Sequence, residues 1–239
     1  MASVFGGAFA ISDEHLEHAI TVQQHSIMEA EAVKCLCVGD SEVGKTCMLI
    51  TYTTDDFPRE FQPKVFEISQ ANVMIDGKKV SLTLWDTNGH EDFDNIRPPN
   101  YFGTDVFIVC YSVVSPKSFE HVEKKWLPEI RSICPNSPFL LVGTKSDLKD
   151  KNENANACSP SDGIAVLEQP RVSPQVALSH AKEKGVELGA SRVMECSATT
   201  QVGLEEVFHE AIRVTLAARA KQTNQQTNNK ANSGTCTLL

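Results

Sequence analysis

Residues 39–46 read Gly-Asp-Ser-Glu-Val-Gly-Lys-Thr and follow an apolar run, Val33 to Val38. The spacing G-x-x-x-x-G-K-[ST] between a strand and a helix suits one task, cradling a polyphosphate. Gly39 and Gly44 permit a tight turn. The backbone N–H groups of Asp40, Ser41, Glu42 and Val43, and of Lys45, Thr46 and Cys47 beyond the second glycine, can then converge on the anion. Lys45 supplies a cation for the outer phosphates, and the Thr46 hydroxyl can hold Mg²⁺. The helix that starts near Cys47 aims its positive end at the same charge. A carboxylate beside a triphosphate is repulsive, so Glu42 is expected to face solvent.

A second group selects the base. Thr144-Lys145-Ser146-Asp147 follows the apolar strand Phe139–Val142. An aspartate there can accept two hydrogen bonds, from the N1–H and the exocyclic amine of guanine. Adenine offers no such donor pair. The Lys145 stem can lie along the base, and Phe57 can stack on its edge. A third segment, Glu195-Cys196-Ser197-Ala198, ends a short strand and offers backbone N–H groups of Ser197 and Ala198 to the guanine oxygen.

These groups must be positioned by an α/β frame. From Val33 onward, strand-like and helix-like patterns alternate, which implies a mostly parallel sheet covered on both faces. Strands are expected at Val33–Val38, Ile68–Ile75, Val80–Trp85, Val106–Tyr111, Phe139–Val142 and Arg192–Glu195. Asp76-Gly77 predicts a hairpin, hence one antiparallel edge strand among six. Helices are expected near Cys47–Thr53, Ser118–Ile133, Pro174–Lys184 and Leu204–Ala218. Ser173-Pro174 reads as a helix start and Gly185 as its stop. The ligand belongs at the carboxyl ends of the parallel strands.

The motifs carry a resemblance. The chain resembles a small GTPase of the Ras superfamily, Rho/Rac family. It does so in the phosphate loop and Thr-Lys-x-Asp, and in Asp86-Thr87 after Trp85, Thr104-Asp105-Val106-Phe107 and the run Ser112 to Phe119. The insert after Thr-Lys-x-Asp and the terminal Cys-Thr-Leu-Leu also fit. The resemblance covers roughly Val33 to Ala218 and the last four residues. It implies a P-loop NTPase fold of the Ras-like G-domain type, GTP or GDP as ligand, and Mg²⁺ held by Thr46 and, through the second shell, Asp86. Gly89 is the residue whose N–H reports a γ-phosphate. The domain limits it implies are a Rho-type G domain at 32–218 with an insert at 150–170, preceded by an extension, 1–31, and followed by a flexible tail, 219–239. Partners implied are exchange factors, GTPase-activating proteins, effectors reading residues 61–69 and 87–102, and a dissociation inhibitor that sheaths the lipid. The protein itself is expected to be a monomer.

Several positions depart from the family pattern, among them Ser41, where Rho proteins usually carry glycine, and Asn88, where alanine is usual. Lys64 stands where a switch threonine would bind Mg²⁺, and an ammonium cannot ligate a metal; it could touch a γ-phosphate as a cation. Phe61 stands where a tyrosine usually covers the phosphates. His90 stands where a glutamine orients the attacking water. Histidine can hold a water, with a different geometry and a charge that varies near neutral pH. Lys64 and His90 are therefore the candidate catalytic positions, and slow hydrolysis is expected. Two functions follow: a prenylated GTP-binding signalling switch, or a GTP-bound scaffold that hydrolyses poorly.

Composition narrows the rest. The net charge is −9 over 239 residues, which disfavours nucleic acid as a partner. The eight cysteines lie mostly alone in apolar segments, as buried free thiols of a reducing compartment would. No stretch is long enough to span a bilayer. Residues 1–31 contain no Lys or Arg and could form one helix capped by Ser12, with Leu16, Ile20 and Ile27 on a face. His15, His18 and His25 there read as solvated. Cys236-Thr237-Leu238-Leu239 fits a prenylation signal with geranylgeranyl preference. A lipid on Cys236 would tether the chain to the cytoplasmic face of a membrane. With few basic residues nearby, that attachment is expected to be reversible.

Overall fold

The computed structural model describes residues 30–59, 66–149 and 175–232. All six expected strands form, in one sheet of order β2-β3-β1-β4-β5-β6. β1 (Glu31–Val38), β3 (Lys78–Thr87), β4 (Val106–Ser112), β5 (Phe139–Thr144) and β6 (Arg192–Glu195) run parallel; β2 (Phe66–Ile75) is the antiparallel edge. Asp76 and Gly77, with φ of 49° and 80°, turn β2 into β3 so that Ile75 pairs with Lys78. Both residues at positive φ make the turn the primed type that matches strand twist.

β4 and β5 are buried at every position, as strands covered on both faces must be. Their period-2 alternation divides the core. Cys35, Cys37, Ile108 and Cys110 face one side, against Leu49 and against Phe208 and Ile212. Leu36, Val38, Phe107 and Val109 face the other, against Trp126 and Ile130. α1 (Lys45–Thr54) and α5 (Leu204–Asn232) cover the first face. α2 (Pro116–His121), α3 (Leu127–Ile133) and α4 (Leu178–Leu188) cover the second. Cys35, Cys37, Cys110 and Cys196 are free and buried, as their apolar settings suggested.

Several helix boundaries differ from the sequence expectation. The expected single helix Ser118–Ile133 is broken in register by a π turn, Val122–Trp126, between α2 and α3. Gly185 does not stop α4 but lies inside it: a Cβ there would stand 2.2 Å from Val193 Cγ2, so the glycine serves close packing of helix on strand. The stop is Gly189, at φ 77°, and the start also differs: the helix begins at Leu178 after extended backbone at Ala177, four residues beyond the expected Pro174, which with Ser173 lies outside the described residues. α5 runs past Ala218 to Asn232, into the segment expected as a tether. Its buried face, Leu204 to Thr215, secures the nucleus. Ala, Lys and Gln then propagate the helix, and no Gly or Pro intervenes before Gly234.

The sheet order places β3 on one side of β1 and β4 on the other. The crevice at the carboxyl end of β1 is thus the topological switch point where such sheets bind ligands.

Candidate functional site

The loop leaving β1 opens into two adjoining hollows. The first, about 160 Å³, is lined by Gly44, Cys47, Phe57, Lys145, Asp147 and Ala198, among others. The second, about 570 Å³, is lined by Ser41, Glu42, Lys45, Thr46, Asp86 and Gly89, and shares Gly44, Cys47, Phe57 and Lys145 with the first. Most of the sequence-predicted base and phosphate residues thus line two adjoining hollows. Met48, Leu148 and Thr199 also line the base half. They carry no motif signal, because they contribute apolar or backbone surface rather than chemistry.

The phosphate half is tightly turned. Glu42 sits at φ 63°, exposed, as a loop that points N–H groups inward requires. Gly39 and Gly89 meet closely. A Cβ on Gly89 would stand 2.2 Å from Gly39 O and 2.5 Å from Ser41 N, so the segment after β3 lies directly on the phosphate loop. Lys45 is buried and donates from Nζ to Gly39 O at 2.8 Å and Asp40 O at 2.7 Å. Burial lowers its pKa, and Asp86 opposes that shift. The Thr46 hydroxyl donates to Asp86 Oδ2 at 2.5 Å. Burial raises the Asp86 pKa against the pull of Thr46 and Lys45.

Asp86 Oδ1 is buried with no hydrogen-bond partner. Such an orphaned carboxylate oxygen beside a hydroxyl is a hard, oxygen-rich donor set that fits Mg²⁺. Asp40 and Val43 serve differently. The Asp40 carboxylate turns away from the hollow, accepting from Trp126 Nε1 at 2.8 Å and meeting His121 Nδ1 at 2.7 Å. Val43 is buried, and its carbonyl accepts from the Thr144 hydroxyl.

The base half is locked to the phosphate loop. Lys145, at φ 60°, donates from Nζ to Glu42 O at 2.7 Å. The Thr144 hydroxyl is within 2.9 Å of Tyr111 O. Asp147 has one oxygen held, accepting from Ser197 Oγ at 2.7 Å. Ser197 is fully buried, and its N–H donates to Val202 O at 3.0 Å, so its backbone donor is already used. Its role in the structure is to orient Asp147. Ala198 remains at the cleft wall. Phe57 is 37% exposed and reaches both hollows. Burial raises the Cys47 pKa and keeps it a neutral thiol at the shared wall.

His90 is placed elsewhere. Its side chain is half exposed and lines neither hollow. It caps the short 3-10 turn Glu91–Phe93, with Nδ1 3.3 Å from Asp92 N and 3.1 Å from Asp92 Oδ2. Lys64, Phe61, Cys236, the insert and residues 1–29 lie outside the described residues. Sequence reasoning missed Arg97, which is fully buried. It donates to Glu129 through Nε and Nη2, both at 2.8 Å, to Asn88 O at 2.9 Å and to Asp94 at 2.5 Å, and lies 4.5 Å over the Trp126 ring. Glu129, 32 positions away, gives no motif to find it by.

The arrangement can bind a purine with a 2-amino, 6-oxo edge, a phosphate chain and a divalent cation. The chain matches the Ras family over residues 34–217, more than half of its length and the whole span that carries the cleft; it belongs to the Ras family of small GTPases.

Proposed function

We propose that this chain is a Rho-type member of the family, a prenylated GTP-binding signalling switch that hydrolyses GTP slowly. The observation that supports it best is the tie between the two halves of the cleft. Thr144 and Lys145 of the guanine motif bond directly to Val43 and Glu42 of the phosphate loop, so base and phosphate recognition form one rigid unit. Rho-like residues at Thr104–Phe107 and Ser112–Phe119 favour this branch.

In binding, Lys45 would exchange its loop carbonyls for phosphate oxygens. Thr46 would hold Mg²⁺ and Asp86 would support it through the second shell; the ion supplies charge neutralisation at the outer phosphates. Gly89 N–H is near enough to the loop to sense a γ-phosphate. Asp147 would accept the guanine donors, oriented by Ser197. Neither Lys64 nor His90 reproduces the chemistry of the usual threonine and glutamine, which is the reason for slow turnover.

A second reading has its own support. The His90 side chain caps its own turn instead of facing the cleft, which favours a GTP-bound scaffold with little hydrolysis. Single-turnover hydrolysis with analysis of co-purified nucleotide separates them: GDP in the purified protein and measurable turnover favour the switch, bound GTP with none favours the scaffold. Absence of any guanine nucleotide, even after loading with Mg²⁺, would sink both.

Exchange factors, activating proteins and effectors are the partners expected of such a switch, and a lipid-sheathing inhibitor follows if Cys236 is geranylgeranylated. Cys236→Ser should then leave the protein in the soluble fraction with nucleotide binding intact. A variant still found with membranes would reassign the anchor to residues 1–31.

A further inference from the structure

We propose that His121 is a positioning residue for the phosphate loop, acting through Asp40, and that its protonation makes nucleotide retention depend on pH. The inference rests on the nucleotide-binding reading above.

Asp40 directly follows Gly39, and its carboxylate is held outside the hollow by two donors from one helix. Oδ1 accepts from Trp126 Nε1 at 2.8 Å, and Oδ2 lies 2.7 Å from His121 Nδ1. In a regular α-helix, residues five apart are roughly 140° apart around the axis and could not grip one carboxylate. The π turn between them changes that. Leu127 N–H bonds to Val122 O, five residues back, and this wider turn brings His121 and Trp126 to one side. The irregularity in the helix therefore has a local purpose, a two-pronged hold on Asp40.

Asp40 is a sensitive point to hold. Its carbonyl accepts from the Lys45 ammonium at 2.7 Å, and Gly89 is packed against its backbone carbonyl carbon. If the carboxylate were released, a negative charge one residue into the phosphate loop would be free to turn toward the phosphates. The hold keeps that charge away and fixes the loop carbonyls.

Histidine is the side chain that ordinarily changes charge between about pH 5 and 8. Charged, His121 holds the Asp40 carboxylate by a charge-assisted bond, roughly twice as strong as a neutral one. Neutral, it keeps at most an ordinary hydrogen bond, and only in the Nδ1–H tautomer. Among the described residues, the other charges near it are Glu120 beside it on α2, Lys117 a turn before it, Lys125 a turn after it and paired with Asp94 at 2.9 Å, and Arg97 over the Trp126 ring. Asp40 is the carboxylate within hydrogen-bond reach. The protonated form grips more strongly, so retention is greatest at low pH and falls as pH rises.

The test uses the full-length protein loaded with a fluorescent GDP analogue and Mg²⁺. Release into excess GDP is followed from pH 5.5 to 8 for the parent, His121→Asn and His121→Gln. Both amides can donate to Asp40 without titrating, and His180→Asn serves as a control. Dividing parent by variant removes every pH effect that does not pass through His121. The expected ratio rises about five- to tenfold across the range, the loss of a charge-assisted component, while His180→Asn tracks the parent. Normal loading with parallel parent, His121→Asn and His121→Gln profiles overturns this inference alone. A parent that never loads overturns the nucleotide reading and this inference together.

Discussion

The two walls of the cleft are built differently. The wall of Gly39–Thr46 with Thr144–Asp147 is tied by bonds between residues distant in sequence: Thr144 to Val43, buried and 101 positions apart, Lys145 to Glu42, 103 apart, and Ser197 to Asp147, 50 apart. The opposite wall, Asp86 to Gly89, runs on to Tyr101 as a segment anchored at both ends, with Arg97 also reaching back to Asn88 O. Thr87 Oγ1 donates to Cys37 O at 2.6 Å at one end, and the Arg97 cluster clamps the other. Between them His90, Glu91 and Asp92 are exposed. The recognition groups are thus preorganised, whereas the group expected to orient a water is not. Preorganised groups lower the cost of binding, and a segment free between two anchors is suited to closing over a ligand.

The largest effect expected is from removing the anchor at the far end. Arg97→Ala strips the cation from Glu129, leaving it the Tyr101 hydroxyl as donor on a side chain only 16% exposed. Breaking a buried pair by removing one partner costs about 3–5 kcal/mol. Urea unfolding should show that loss. Arg97→Leu combined with Glu129→Leu should recover much of it, because no charge is then buried alone. A double variant as unstable as the single would show that packing on Trp126, not charge pairing, is what Arg97 supplies.

On the preorganised wall, Asp147→Asn removes the carboxylate proposed to meet the two guanine donors. Guanine affinity should fall by about 3 kcal/mol, the size of a charge-assisted pair with its desolvation, and preference should move toward xanthine nucleotides. Competition binding with GDP and XDP reads both. GDP bound as tightly as by the parent would mean that the base is read elsewhere.

The same contrast governs what the sequence revealed. The strands were legible because β4 and β5 are continuous apolar runs and Asp76-Gly77 permits only a tight turn. The preorganised wall was legible because phosphate and guanine chemistry demand fixed residue types at fixed spacing. For Ser197 the sequence suggests a backbone N–H toward the base, whereas that N–H donates to Val202 O and the hydroxyl donates to Asp147, a pairing no sequence pattern reveals. The far anchor of the opposite wall was not legible. Arg97, Glu129, Trp126 and Asp40 are brought together by tertiary packing across three elements, and no local pattern encodes that meeting. Gly185 misled because a stop and a close helix–strand approach select the same residue.

Asp86 joins the two walls, and its replacement should act with opposite signs on fold and function. Burial raises its pKa above the ordinary 3.8 despite Thr46 and Lys45. The folded state therefore binds more protons than the unfolded state between the ordinary and the raised value, and stability falls as pH rises through that window. At neutral pH the ionised form is a cost to the ligand-free fold. Asp86→Asn should raise the unfolding temperature in EDTA, while the further rise on adding Mg²⁺ and GDP should shrink. If Asp86→Asn lowers the EDTA midpoint instead, the Lys45 pairing outweighs burial and the sign assigned here is wrong.

The smallest effect is expected where the loose wall meets chemistry. His90→Gln alone restores the amide but leaves it on a segment that caps its own turn, so single-turnover hydrolysis should change little. Lys64→Thr alone restores a metal-binding hydroxyl without a water-orienting partner. Each tenfold in rate is about 1.4 kcal/mol of transition-state energy, and both residues would act on one closed state. The double variant should therefore exceed the product of the single rate factors, which is coupling between sites that share a state. Rates measured for the parent, both singles and the double close the cycle. Strictly multiplicative effects would show that the two positions act independently. A parent already as fast as the double variant would show that Lys64 and His90 substitute for the usual pair and that the loose wall closes unaided.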